Sequence, residues 1–246
     1  MASVYTDNGG VRIHALDNER DGALVPALVV PGMGESADEF AWLLDALGDR
    51  RVLVVDVRGR GGSDAPQHGY TWADHYGDLL AAMAHAGLDR PIVIGFSRGS
   101  SYAFGAALHA PEPVRGLVVN DYWARHVGLP PEAVPMLMNQ RNRGRIMAER
   151  MSPRVIEQVI RESEEISLWD RLAELSCPLL VVRGGRKGSL VSDEIVEQYR
   201  AAYPDVQVAL IPDQGHDLWS RDVATYLATL APFLAEIDAA WVAPRA

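Results

Sequence analysis

The sequence predicts an α/β protein, a parallel sheet with helices on both faces. Three observations carry this. Short apolar runs rich in β-branched residues recur along the chain at 27–30, 52–55, 92–94, 114–120, 178–183 and 206–211, and unbroken runs of this kind suit strands buried on both faces. Stretches with apolar residues at helical spacing separate them, and strand–helix alternation implies crossovers between parallel strands. Several runs end in loops bearing glycine, aspartate, serine or histidine, and in such sheets the loops at the carboxyl ends of the strands form the site.

Each element has its own signal. Residues 11–16 alternate as a strand, and 17–22, Asp-Asn-Glu-Arg-Asp-Gly, read as a hairpin loop. The run at 27–30 ends in Pro31-Gly32-Met33-Gly34-Glu35-Ser36, a turn whose backbone N–H groups can approach a ligand. Phe40, Leu43, Leu44 and Leu47 lie at helical spacing within 38–47. The strand at 52–55 runs into an Asp56-to-Asp64 loop, and 71–87 reads as a helix. Ile92-Val93-Ile94 leads into Gly95-Phe96-Ser97-Arg98-Gly99 and then a small-residue helix. The run at 114–120 stops at Asp121. From Tyr122 to about Ile166 the pattern changes. Pro130-Pro131, the methionines Met136, Met138, Met147 and Met151, and Arg141, Arg143 and Arg145 mark a helical insertion without strands. The core pattern then returns, with a strand at 178–183, a loop at 184–192, a helix at 193–202, a strand at 206–211, the Asp213-Gln214-Gly215-His216-Asp217 loop and a closing helix at 224–237. The division is therefore a core in two parts, 1–121 and 167–246, with a lid at 122–166.

Composition narrows the function. The 246 residues suffice for one large α/β domain, and 48% hydrophobic content is that of an ordinary globular protein. A formal net charge of −10 argues against nucleic acid or an anionic membrane as partner. No stretch approaches the roughly 20 apolar residues of a membrane span, and the amino terminus shows no secretory pattern, so a cytoplasmic location is expected. Cys177 is the only cysteine, which rules out an internal disulfide and a cysteine metal cluster. Lys187 is the only lysine and lies away from the elbow motif, so Schiff-base chemistry lacks support. His and carboxylate spacings match no metal motif, and no cofactor is implied.

Gly95-Phe96-Ser97-Arg98-Gly99 matches G-x-S-x-G between a strand and a helix, the context that motif needs. A serine on a strained strand-to-helix turn needs flanking residues almost without side chains, because strand and helix crowd there. The turn lifts the Ser97 hydroxyl clear of the sheet and leaves the Arg98 N–H at a helix amino terminus. A serine at its ordinary pKa is a poor nucleophile. It needs an imidazole to take its proton and an acid to orient that imidazole. His216, in a glycine turn after the last strand, is the candidate base. His14, His75, His85 and His109 fall on strand or helix positions where solvated roles are expected.

With these parts in order, the chain resembles the α/β-hydrolase superfamily. The resemblance rests on the Gly32-Met33-Gly34 turn, the Asp56-x-Arg58-Gly59-x-Gly61 loop, the elbow, Cys177-Pro178 entering a late strand, and Gly215-His216 before the closing helix. It covers nearly everything outside the insertion. It implies a mostly parallel eight-stranded sheet flanked by helices with a helical lid after the sixth strand. It also implies Ser97 as nucleophile, His216 as base, and an oxyanion hole from the Met33 and Arg98 amides. Many relatives carry His-Gly where this chain has Pro31-Gly32; the Met33 amide survives that change.

The acid departs from the common pattern. In most relatives it follows the seventh strand, but Gly184-Gly185-Arg186-Lys187-Gly188-Ser189 holds no carboxylate there. Asp193 is the first available, and it reads as first-turn charge of a helix capped by Ser192. A minority of the superfamily, zearalenone-type lactonases among them, places the acid after the sixth strand, where this chain has Asp121. Asp121 is the favoured acid and Asp193 the alternative. The resemblance implies hydrolysis of a carboxylic ester or lactone of a small, largely apolar substrate. Gly32, Trp123, Met136, Leu137, Met138 and Met147, with Trp169 nearby, are candidates to line its pocket, and packing of the insertion on the core is an equal reading of the apolar residues among them. Carbon–carbon bond hydrolysis, thioester cleavage, lyase chemistry or a ligand receptor that keeps the triad remain open, as does assembly into a homo-oligomer. Arg141, Arg143 and Arg145 suit either an anionic substrate or an exposed helix face, the latter favoured.

Overall fold

The computed structural model describes residues 1–241, the Asn142 side chain excepted. Eight strands build one sheet: β1 (Ala2–Asn8), β2 (Val11–Asp17), β3 (Ala27–Val30), β4 (Val52–Asp56), β5 (Ile92–Phe96), β6 (Gly116–Asn120), β7 (Leu179–Gly184) and β8 (Gln207–Ile211). Their order is β1-β2-β4-β3-β5-β6-β7-β8. β2 pairs antiparallel with β1 and β4, and every pairing from β4 to β8 is parallel.

The strands are buried on both faces for the reason read from their composition. Along β3 to β7 successive residues alternate between two cores. Leu28, Leu53, Val93, Leu117 and Val181 pack under α2 (Trp72–Ala86), α3 (Arg98–His109) and α6 (Asp193–Ala202). Val29, Val54, Ile94, Val118 and Val182 pack on the opposite face, against α1 (Leu43–Ala46) and α7 (Val223–Ala239). The capping signals hold: Thr71 and Asp74 form a capping box at α2, and Ser192 caps α6.

Three features differ from expectation. β1 had no apolar run to announce it, because as an edge strand it alternates between exposed and half-buried residues. It joins β2 through Gly9 and Gly10, both at positive φ, the backbone a two-residue hairpin turn requires. Residues 17–22 are not a hairpin loop: β2 leads to β3, and the two strands are not neighbours in the sheet. The insertion is also not free of strands. It contains α4 (Val134–Asn139) and α5 (Pro153–Arg161), around Leu137, Met151, Val155, Ile156 and Val159. Arg125–His126 pairs with Ile166–Ser167 at its base, and Arg141–Asn142 pairs with Arg145–Ile146 in a small hairpin. Ladders of two residues are too short to show alternation in sequence. None of the described residues of the insertion joins the eight-stranded sheet.

Candidate active site

The carboxyl ends of β3, β5, β6 and β8 bring the site together. Ser97 follows β5 at φ 49°, ψ −129°, in the strained region expected of an elbow. The flanking glycines are sterically required. A Cβ on Gly95 would stand 2.5 Å from the Ser100 Cα, and one on Gly99 would stand 2.2 Å from the Pro31 carbonyl oxygen. The turn is closed by Ser97 N–H donating to the Asn120 carbonyl at 3.1 Å and Ser100 N–H donating to the Ser97 carbonyl at 2.9 Å.

His216, in the loop after β8, lies between Ser97 and Asp121. Its Nε2 is 2.9 Å from Ser97 Oγ and its Nδ1 2.8 Å from Asp121 Oδ2. The carboxylate only accepts, so the proton belongs on Nδ1 and Nε2 is left to accept from the serine. Asp121 is fully buried and sits at φ 49°, a conformation aspartate tolerates better than most residues. Its carboxylate also accepts from the Leu190 N–H at 2.9 Å, the Val191 N–H at 3.3 Å and the Ser189 hydroxyl. The loop after β7, which carries no carboxylate of its own, instead supplies donors to the one after β6. These donors satisfy the buried carboxylate, which would otherwise be costly to take out of water. Asp193 stands apart, in the first turn of α6, with its side chain 87% exposed and paired with Arg183.

The Gly32–Glu35 turn after β3 faces Ser97. A Cβ on Gly32 would come within 3.3 Å of the serine Cβ. Gly32 N–H donates to Glu35 Oε2 at 2.7 Å, and the Met33 carbonyl accepts from Arg60 Nε at 2.9 Å. Among the described residues neither the Met33 nor the Arg98 amide donates to a protein acceptor. Both residues line a cavity of about 470 Å³ onto which Ser97 and His216 also open. Glu35 is buried, and burial raises its carboxyl pKa against the opposing pull of Arg143 and the Gly32 N–H. Arg143 Nη2 lies 2.6 Å from Glu35 Oε1 and 2.8 Å from Asp217 Oδ1, and its guanidinium covers the Trp219 ring at 4.6 Å.

Of the expected pocket residues, Gly32, Trp123, Leu137 and Met147 line the cavity. Met136, Met138 and Trp169 do not. In the short helix α4 the inward position belongs to Leu137, which lines the cavity, while Met136 is 66% exposed and Met138 packs within the insertion. Arg141, Arg143 and Arg145 lie on the hairpin, not on a helix, and all three line the cavity. Tyr122 and Trp219 line it too and were missed; each directly follows or nearly follows a site residue, which is the only signal the sequence offers. Two of the histidines expected in solvent are buried. His14 Nδ1 is 2.7 Å from Asp56 Oδ2, and His75, fully buried, lies against the Thr71 carbonyl and Arg60. Strand and helix positions alone do not distinguish a solvated ring from a buried one with two partners. Among the described residues no group of three or more His, Cys, Asp or Glu side chains could hold a metal ion, and no helix is long and apolar enough to cross a membrane.

Sheet order, elbow and loop geometry define an α/β hydrolase, and the family description "alpha/beta hydrolase fold" matches residues 26–152. The chain belongs to this family. It is similar to N-formylmaleamate deformylase of Pseudomonas putida, 26% identical over 92% of this chain and 93% of that protein. Among solved structures it is similar to an esterase from Exiguobacterium antarcticum, with TM-score 0.79 and 18% identity over 95% of this chain and all of the other. It is likewise similar to the enol-lactonase from Burkholderia xenovorans, with TM-score 0.79 and 19% identity over 94% of this chain and all of the other.

Proposed function

We propose that the protein is a serine hydrolase cleaving a carboxylic ester or lactone of a small substrate through an acyl-enzyme. The observation that carries this is the unbroken hydrogen-bonded line from Ser97 through His216 to Asp121, with its serine end open to the cavity. In this reading Ser97 Oγ attacks the carbonyl carbon while His216 Nε2 takes the hydroxyl proton. Asp121 keeps the imidazole in the required tautomer and balances its positive charge. The Met33 and Arg98 amides receive the oxyanion of the tetrahedral intermediate. His216 then returns the proton to the departing alkoxide. A water deprotonated by the same imidazole attacks the acyl-enzyme and frees the acid and Ser97. Trp123, Leu129, Leu137, Met147 and Trp219 give the cavity apolar walls that suit a small organic acyl or alcohol group.

Similarity to a deformylase, an esterase and an enol-lactonase supports acyl hydrolysis as a class. The test is a panel of nitrophenyl esters, lactones, thioesters, N-formyl amides and vinylogous diketones, run with wild type and Ser97→Ala. Ester or lactone turnover that falls on the order of 10³-fold or more in the variant is expected. Retention of more than a tenth of the activity, or turnover confined to diketones, would overturn the reading.

A further inference from the structure

The cavity wall is strongly cationic in a protein whose formal net charge is −10. Five arginines line it: Arg98, Arg141, Arg143, Arg145 and Arg150. They divide by partner. Arg143 is matched by Glu35, Glu39 and Asp217, and Arg150 pairs with Glu39. These contacts set two guanidiniums against three carboxylates, two of which, Glu35 and Asp217, belong to the lining. Arg98, beside the nucleophile, is buried and among the described residues donates only to neutral acceptors, including the Val127 carbonyl at 3.0 Å and the Ser163 hydroxyl at 2.6 Å. Burial and this uncompensated charge push the pKa of His126 down to about 2, so that ring adds no charge of its own.

Arg141 and Arg145 differ again. They flank Arg143 on the hairpin, and each gives one donor to a backbone carbonyl, Arg141 Nη1 to Gly144 at 2.8 Å and Arg145 Nη2 to Glu149 at 3.0 Å. Neither has a carboxylate partner among the described residues. Both are solvent-exposed, so the desolvation cost of leaving them without a counter-charge is small, and their remaining N–H groups are available. The lining therefore combines Ser97, aromatic and aliphatic walls, and two guanidinium forks that have no carboxylate partner among the described residues. Guanidinium forks match carboxylates in shape and charge, and a cationic cleft in an acidic protein concentrates anions locally.

We propose that Arg141 and Arg145 form an anion subsite, so that the preferred substrate is an ester or lactone carrying a carboxylate at the end away from the scissile carbonyl. The inference rests on the hydrolase reading and adds the substrate class to it. Two matched pairs test it. One is 4-nitrophenyl hydrogen adipate against its methyl ester, with the charge on the acyl side. The other is 4-acetoxybenzoate against methyl 4-acetoxybenzoate, with the charge on the alcohol side. The anionic member of at least one pair is expected to show kcat/KM about tenfold higher or more, as for one or two charge-assisted hydrogen bonds. In wild type that preference should shrink as potassium chloride is raised. In the double variant Arg141→Gln/Arg145→Gln the ratio should approach one.

Equal or better turnover of the neutral member in both pairs would overturn the subsite, as would a preference the double variant keeps. Binding of adipate dianion, followed by calorimetry with Ser97→Ala and with Ser97→Ala carrying both glutamines, decides the subsite even if no ester is cleaved. Adipate binding lost with the arginines upholds it, and binding absent or unchanged refutes it. Failure of all four esters to acylate Ser97 strikes the hydrolase reading separately.

Discussion

Asp121 shows how one residue's surroundings set its part. Its positive φ turns the carboxylate off the end of β6 toward His216, and three donors from residues 189–191 hold it there. Replacing it by asparagine keeps the shape and puts an amide where the imidazole N–H needs an acceptor with charge. In a serine protease that change costs about 10⁴-fold in kcat through the wrong tautomer. Asp121→Asn is expected to lose activity of that order, while Asp193→Asn, at an exposed position paired with Arg183, should stay within about twofold. Parallel kcat measurements check both, and a larger loss in Asp193→Asn would move the acid to α6. The sequence made these positions legible unequally. Ser97 and His216 sit in motifs whose glycines have a steric reason. Asp121 was legible only because the loop after β7 lacks a carboxylate. That this loop would donate backbone N–H groups instead was not legible, since backbone donors carry no residue signature.

Among the elements, the Arg141–Ile146 hairpin has the largest consequence for the site. Its turn residues Arg143 and Gly144 both take positive φ, which swings the Arg143 side chain back across Trp219 to Glu35 and Asp217. One guanidinium thus ties the insertion to the turn that carries Gly32 and Met33 and to the residue after His216. Arg143→Met leaves Glu35 buried without its cation. Stability is expected to fall by about 3 kcal/mol, the lower end for a broken buried pair because Arg143 is 23% exposed. Adding Glu35→Gln should recover part of that loss, since the two residues share one interaction. Urea midpoints of the two single variants and the double variant measure it, and strict additivity would show the pair to be energetically silent. Three arginines in five residues read from sequence as an exposed helix face. The hairpin overrides this because the turn places them at the cavity, a long-range arrangement that local periodicity does not encode.

At the scale of the whole molecule, burial of uncharged histidines links folding to pH. His126 is fully buried with its pKa down to about 2, and His75, also fully buried, is shifted well below its ordinary value by burial and by Arg60. Below about pH 6.5 the unfolded chain binds protons at these rings that the native state does not, so stability rises with pH in that range. The contribution is complete above pH 6.5 and is lost progressively on acidification, at about 1.4 kcal/mol per pH unit for each ring. Unfolding free energies at pH 7, 6 and 5 should fall accordingly, with a shallower slope in His126→Gln; a flat or rising profile on acidification would contradict it. The fold itself was legible at this scale because β3 to β8 each carry an apolar run and helical segments separate most of them. The polar edge strand β1 and the two-residue ladders of the insertion lacked such patterns and could be found only in three dimensions.

The hydrogen-bonded line from Ser97 to Asp121 matters most if it makes Ser97, and no other residue, the covalent partner of the acyl group. Mass spectrometry of the acid-quenched protein after brief exposure to 4-nitrophenyl acetate, followed by peptide mapping, measures this directly. One acetyl group on the peptide containing Ser97 is expected, absent from Ser97→Ala and strongly reduced in His216→Ala. Turnover with no acyl group on Ser97, or the same label persisting in Ser97→Ala, would contradict the nucleophile and the mechanism built on it.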